Sequence, residues 1–169
     1  MKGRITVKDL CFMALYAAIF VVLDYITQFI PLLQMPQGGS IGLGTISLLL
    51  ASYHLGWKKG VFVGVVSVPL QYLTGQMYVN GIFGLLFDYI VPFGIYGIAS
   101  LLPNIGYLYL GILVTNFIRF ICHVLTGIVI WETPLWGSVT YNGPYMLATC
   151  MVGLLVVPVL YNRLKSQMR

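Results

Sequence analysis

The chain has 169 residues, of which 59% are hydrophobic and 8% charged, with a mean hydropathy of +0.92. This composition excludes a soluble domain folded around one buried core and defines an integral membrane protein. The formal net charge of +5 does not indicate nucleic acid, because the basic residues gather at segment ends and never interleave with aromatics on one face; contact with an anionic cytoplasmic leaflet accounts for them.

Pro, Gly and polar clusters divide the chain into six expected apolar spans, at 7–30, 41–54, 60–74, 81–101, 105–130 and 144–161, forming one all-α membrane domain over 1–169. The first begins like a signal peptide but has no small-residue cleavage site, so it reads as a retained helix. Cys11, Ala14, Ala17 and Ala18 put small side chains at helical spacing on it, suited either to internal packing or to close approach by a partner helix. The second and third spans are short for a hydrocarbon core of ~30 Å, which needs about 20 helical residues. Cys122 and Cys150 sit in apolar sequence at wide spacing and read as small packing residues.

Eight of the nine Lys and Arg residues fall at three places: Lys2, Arg4 and Lys8; Lys58 and Lys59; Arg163, Lys165 and Arg169. Even numbers of crossings separate these places, so the positive-inside pattern puts both termini and the 57–59 turn in the cytoplasm. The outer loops, 34–40, 75–80 and 131–142, contain no Lys or Arg and are rich in Gly, Gln, Asn, Tyr and Trp, which suit a small-molecule site.

Asp88, Glu132 and His123 are the acidic and imidazole groups expected to meet. Asp88 is seven residues into the fourth span and His123 eight residues below the end of the fifth, on the order of 10 and 12 Å deep at 1.5 Å per residue. The matching depths predict one outward-opening pocket. Arg119, one turn below His123, is placed to neutralise Asp88 or close the pocket floor. Two readings stand: an ion pair that only satisfies intramembrane charges, or a substrate path, which such groups usually mark. Tyr78, Tyr89, Trp131, Trp136 and Tyr141 share the outer side and offer stacking faces, whereas Trp57, Tyr107 and Tyr109 read as interfacial belt residues. No G-x-x-x-x-G-K-S/T loop is present, Ser40 lacks a G-x-S-x-G context, and His54 lies toward the inner side away from His123. An enzyme, a metal site and a cofactor are therefore not expected.

The segment from Arg119 through His123 and Gly127 to Trp131, together with Thr74-Gly75-Gln76-Met77-Tyr78, Phe87-Asp88-Tyr89 and Tyr141-Asn142-Gly143, resembles the thiamine-specific substrate-binding (S) component of energy-coupling factor transporters. The resemblance covers nearly the whole chain. It implies a multi-pass protein of the bacterial cell membrane that binds thiamine on the outer side and works with a transmembrane coupling protein and two cytoplasmic ATPases. It further implies Tyr78, Asp88, Tyr89, His123, Trp131 and Asn142 as substrate-binding residues, and Cys11, Ala14 and Ala18 as the coupling-protein docking face.

Four features depart from the family pattern. Asp88 stands where Glu is usual, no acid follows Gly38-Gly39-Ser40, and Gly137 replaces an aromatic beside Trp136. The small-residue pattern of the first helix is also offset: Cys11 and Leu15 fall on its register, and Ala14 and Ala18 supply the spacing three residues later. Two alternatives remain beside thiamine capture: the same scaffold with another heteroaromatic vitamin, or a non-transporting assembly or sensory subunit.

Overall fold

The computed structural model describes residues 5–36, 38–74 and 77–165. Six helical segments follow in order: α1 Val7–Gln28, α2 Thr45–Leu55, α3 Trp57–Leu73, α4 Gly81–Tyr96, α5 Leu110–Val129 and α6 Leu135–Leu164. The chain is thus an all-helical membrane protein. Among the described residues, α1, α5 and α6 are long and apolar enough to cross a membrane. The shorter α2 supplies the centre of the core instead.

A reciprocal cap sets the start of α1: the Thr6 side chain accepts from the Asp9 N–H, and the Asp9 carboxylate accepts from the Thr6 N–H. Past α1, a 3-10 turn at Pro31–Leu33 leads into a loop closed by a bridge between Gln34 and Ser40. Gly38 and Gly39 in this loop have φ of +93° and +88°, left-handed values that side chains resist. Helices α2 and α3 are joined by the single residue Gly56.

Helix α4 carries a π-helical stretch at Leu85–Ile90, in which the Val91 N–H reaches the Leu86 carbonyl, five residues back. Pro92 explains the change of winding, since it lacks the N–H that would bond the Asp88 carbonyl in an α-helix. A short antiparallel pair, Asn104–Ile105 with Leu108–Tyr109, precedes α5.

Helix α2 is enclosed by its neighbours: Ser47, Leu48, Leu49, Ala51 and Ser52 are fully buried. They join Phe20, Phe93, Tyr96, Ile112 and Val157 in the core. Helices α3 and α4 meet backbone to backbone. A Cβ at Gly64 would lie 2.2 Å from the Phe93 carbonyl oxygen, and one at Gly97 would lie 2.0 Å from the Val61 nitrogen, so no side chain fits at either crossing.

The basic clusters lie at one end of the bundle. Lys59 Nζ is 2.6 Å from Asp9 Oδ1, which ties the α2–α3 turn to the start of α1. Tyr53, near the end of α2, packs against Tyr161 near the end of α6, with ring centroids 5.7 Å apart. Lys2, Arg4 and Arg169 lie outside the described residues.

Several boundaries differ from the sequence expectation. The last helix begins at Leu135 rather than 144, absorbing Gly137, Gly143 and Pro144 into continuous helix after the N-cap Pro134. The fourth ends at Tyr96 and the fifth starts at Leu110, because a 3-10 turn and the short strand pair occupy the residues between. Tyr109 is not a belt residue: it is buried, with its ring edge-on to Tyr53 at 4.9 Å.

Candidate functional site

A cavity of about 840 Å³ opens at the end of the bundle opposite the basic clusters. It lies among the late turns of α1, α3 and α5, the early turns of α4 and α6, and the loop around Gly38–Ser40. Tyr78, Asp88, Tyr89, His123, Trp131 and Asn142, the six positions expected from sequence, all line it.

A hydrogen-bonded relay crosses the cavity floor. Arg119 Nε donates to His123 Nε2 at 3.0 Å, and His123 Nδ1 lies 2.8 Å from Asp88 Oδ1. A guanidinium can only donate, so Nε2 of His123 is an acceptor and the ring proton sits on Nδ1, directed at the Asp88 carboxylate. Arg119 therefore does not pair with Asp88 directly; the imidazole stands between them. Its other contacts hold it in place: Nη1 donates to the Tyr96 hydroxyl at 3.3 Å, and the guanidinium lies over the rings of Phe93 and Tyr96. The Tyr96 hydroxyl in turn donates to Asn116 Oδ1 at 2.8 Å. Asp88 keeps its second carboxylate oxygen outside the histidine bond.

Aromatic side chains and the glycine loop form the upper wall. The Tyr89 hydroxyl accepts from the Tyr78 N–H at 2.9 Å, and the Tyr141 hydroxyl donates to the Gly38 carbonyl at 2.7 Å. The Tyr145 ring lies 3.2 Å from where a Cβ of Gly39 would be, and its hydroxyl donates to Asn142 Oδ1. Asn142 is buried and gives its amide to the Ser138 carbonyl at 2.9 Å, so it acts by fixing the Tyr145 hydroxyl. Trp131, more than half exposed, stands at the rim.

Other expectations are corrected. Glu132 is exposed and is not among the lining residues; Asp24 of α1 is the second carboxylate of the cavity. Sequence reasoning passed over Asp24, although an aspartate in an apolar helix is as costly as the arginine that drew notice. Gln71 and Tyr145 were also passed over, and no local motif signals them. Trp136 is 74% exposed and outside the cavity, so it does not stand in for the aromatic that Gly137 lacks. A Cβ at position 42 would lie 3.0 Å from Thr45 Cγ2 and 3.1 Å from Arg119 Nη1, so a side chain there would press on Thr45 and on the arginine of the cavity floor. Gln37, Gly75 and Gln76, which belong to the expected outer loops, lie outside the described residues. Cys11, Ala14 and Ala18 are all exposed on α1.

A membrane helix bundle that encloses a polar, aromatic-walled cavity at one end, with a floor of linked charges, is a ligand-binding membrane protein. The chain belongs to the thiamine transporter protein family (Thia_YuaJ), whose sequence pattern matches residues 10–168. It is a multi-pass bacterial membrane protein of a transporter family, not of an enzyme family. It is 30% identical to the thiamine transporter ThiT of Bacillus subtilis over 169 aligned residues, covering 88% of this chain and 87% of that one. The fold is shared with the solved structure of ThiT from Listeria monocytogenes, with a TM-score of 0.77 over 95% of this chain and 96% of that one at 19% identity.

Proposed function

We propose that this chain is the membrane-embedded substrate-binding subunit of an energy-coupling factor importer and that it captures thiamine from the outer face. The observation that carries this is the Asp88–His123 pair at the base of a cavity walled by Tyr78, Tyr89, Trp131 and Tyr145, in a chain of this family. Thiamine joins a flat aminopyrimidine to a cationic thiazolium ring. The aromatic walls suit its two ring faces. The charge also matches: with His123 neutral, two carboxylates against one guanidinium leave the cavity formally at −1, opposite to the ligand.

Thiamine enters between the Gly38–Ser40 loop, the 77–80 segment and the rim around Trp131. Asp88 takes hydrogen bonds or positive charge from the ligand, while His123, locked by Arg119, keeps the carboxylate in position. Closure of the glycine loop onto Tyr141 and Tyr145 excludes water. The end carrying Lys8, Lys58, Lys59 and Arg163 faces the cytoplasm. There the exposed Cys11, Ala14 and Ala18 face of α1 docks the transmembrane coupling protein, and two ATPases drive release of the vitamin inward.

The test is a titration of the detergent-purified chain, following intrinsic tryptophan fluorescence as thiamine and then other vitamins are added. Saturable quenching by thiamine, lost in Asp88→Asn, supports the reading. Saturation by another vitamin and not thiamine moves the assignment to that compound, and silence to every ligand from folded protein removes it.

A further inference from the structure

The end of the bundle opposite the cavity carries a groove lined by Tyr107, Val159, Asn162 and Arg163, between the tip of the short strand pair and the last turns of α6. On α6, Leu147, Met151, Leu155 and Val159 form a ridge at four-residue spacing, each half or more exposed. In a bilayer such a ridge faces acyl chains. Arg163 is the next member of the row, also exposed, and lies roughly 6 Å further along the axis at 1.5 Å per residue. A guanidinium one turn past the last apolar member stands at the level of the lipid phosphates. The strand pair forms the other side of the groove. Its two-residue turn puts Gly106 at φ +60°, and Tyr107 stands at the tip beside the exposed Ile105 and Leu108. The chain has four acidic side chains, and none is left for Arg163: Asp9 pairs with Lys59, Asp24 and Asp88 line the cavity at the opposite end, and Glu132 adjoins the rim residue Trp131. Among the described residues the Arg163 side chain makes no ion pair, and Lys165 adds a second positive charge two residues on. Asn162 Oδ1 accepts from the Tyr109 hydroxyl at 3.4 Å, which leaves its amide N–H groups to donate elsewhere.

We propose that this groove holds one anionic phospholipid, its phosphate on Arg163 and Asn162 and an acyl chain along Val159 and Leu155. The assignment goes beyond vitamin capture and does not rest on it. Arg163 and Asn162 bring N–H donors to the phosphate oxygens, the arginine in a planar fork suited to them. A zwitterionic headgroup adds a cation of its own, which meets Arg163 and Lys165 and finds no carboxylate. An anionic headgroup brings no such cation, so the groove selects the anionic lipid. The coupling protein is assigned to α1, which packs against α2 and α3, whereas the groove lies between α6 and the strand pair. Both partners are therefore held at once.

The experiment titrates the full-length purified chain, in a neutral detergent, with phosphatidylglycerol and separately with phosphatidylcholine, and native mass spectrometry counts the lipids bound. Size-exclusion profiles and thermal unfolding establish that the parent, Arg163→Gln and Lys58→Gln are folded. The parent binds one phosphatidylglycerol about tenfold or more tighter than phosphatidylcholine. Arg163→Gln loses that preference, and Lys58→Gln, which removes a cation of the same end outside the groove, keeps it. Equal loss in the two variants, as a diffuse attraction between a basic end and anionic lipid requires, overturns the assignment. So does a parent chain that binds the two lipids alike. Displacement of phosphatidylglycerol by inorganic phosphate makes the groove a site for free phosphate and overturns the lipid as its occupant.

Discussion

His123 Nδ1 lies 2.8 Å from Asp88 Oδ1, joining α5 to the π-helical stretch of α4 across 35 residues of sequence. The bond links a helix-packing contact to the floor of the cavity, so a change in either residue acts on both structure and affinity. Removing the carboxylate charge in Asp88→Asn, or the imidazole in His123→Ala, is expected to cost ~1–3 kcal/mol of thiamine binding, about ten- to a hundredfold. Fluorescence titration or calorimetry of the purified variants measures it.

Arg119→Met removes the donor to His123 Nε2 and to the Tyr96 hydroxyl while keeping a comparable apolar length. Two buried acceptors lose a partner, and Asp88 loses its nearby positive charge. The expected result is a lower unfolding temperature in detergent, equivalent to about 1–3 kcal/mol, with weaker thiamine binding as well. Arg119→Lys restores the charge without the planar fork and recovers only part of either loss.

Gly64→Ala tests the α3–α4 crossing. With the added methyl 2.2 Å from the Phe93 carbonyl oxygen, the helices must separate, at an expected cost of about 1–3 kcal/mol. Thermal unfolding reads the loss directly. Because Phe93 also lies under the Arg119 guanidinium, ligand affinity falls with it.

Ala18→Trp on the exposed face of α1 is expected to leave thiamine binding by the purified chain within about twofold of the parent, the scale of surface substitutions. Vitamin uptake by cells is lost, because a bulky side chain blocks close approach of the coupling protein. Parallel binding and uptake assays separate the two effects, and loss of both would place Ala18 in the fold rather than at an interface.

Orientation is testable by labelling. In a background with Cys11, Cys122 and Cys150 replaced, Trp136→Cys is expected to react with a membrane-impermeant maleimide in intact cells. Lys58→Cys reacts only after permeabilisation. The reverse pattern would invert the topology and move the cavity to the cytoplasmic side.

The helical character of the chain was legible because apolar spans between Pro, Gly and polar clusters have few other forms available in lipid. The start of α6 was not. Gly137, Gly143 and Pro144 have the composition of a loop, and what keeps them helical is packing: the Ser138 hydroxyl donates to the Val124 carbonyl, and the Thr149 hydroxyl accepts from the Gly42 N–H, contacts 14 and 107 residues apart. Such partners cannot be read locally.

The candidate site divides along the same line. Counting helical residues gave Asp88 and His123 matching depths, which identifies a pair that can meet. The role of His123 between Arg119 and Asp88 required side-chain geometry, since spacing four residues apart says only that Arg119 and His123 share a face. Asp24 was hidden for a different reason. Its helix reads as a retained first span with a small-residue face, and its partner Gln71 is 47 residues away in a span whose other polar side chains, Ser67, Tyr72 and Thr74, form no motif.

The enclosure of α2 bears on how the chain reaches its final state. Eleven residues of helix rise roughly 16 Å, well short of a bilayer core. A helix of that length with Ser47 and Ser52 on its surface is a poor candidate for insertion by itself during synthesis. It acquires a stable environment only once α6, which follows it by about 80 residues of chain, covers it. Biogenesis therefore includes a delayed docking event: until α6 has been made, the segment at the centre of the core must be sheltered by the insertion machinery or held as a hairpin with α3.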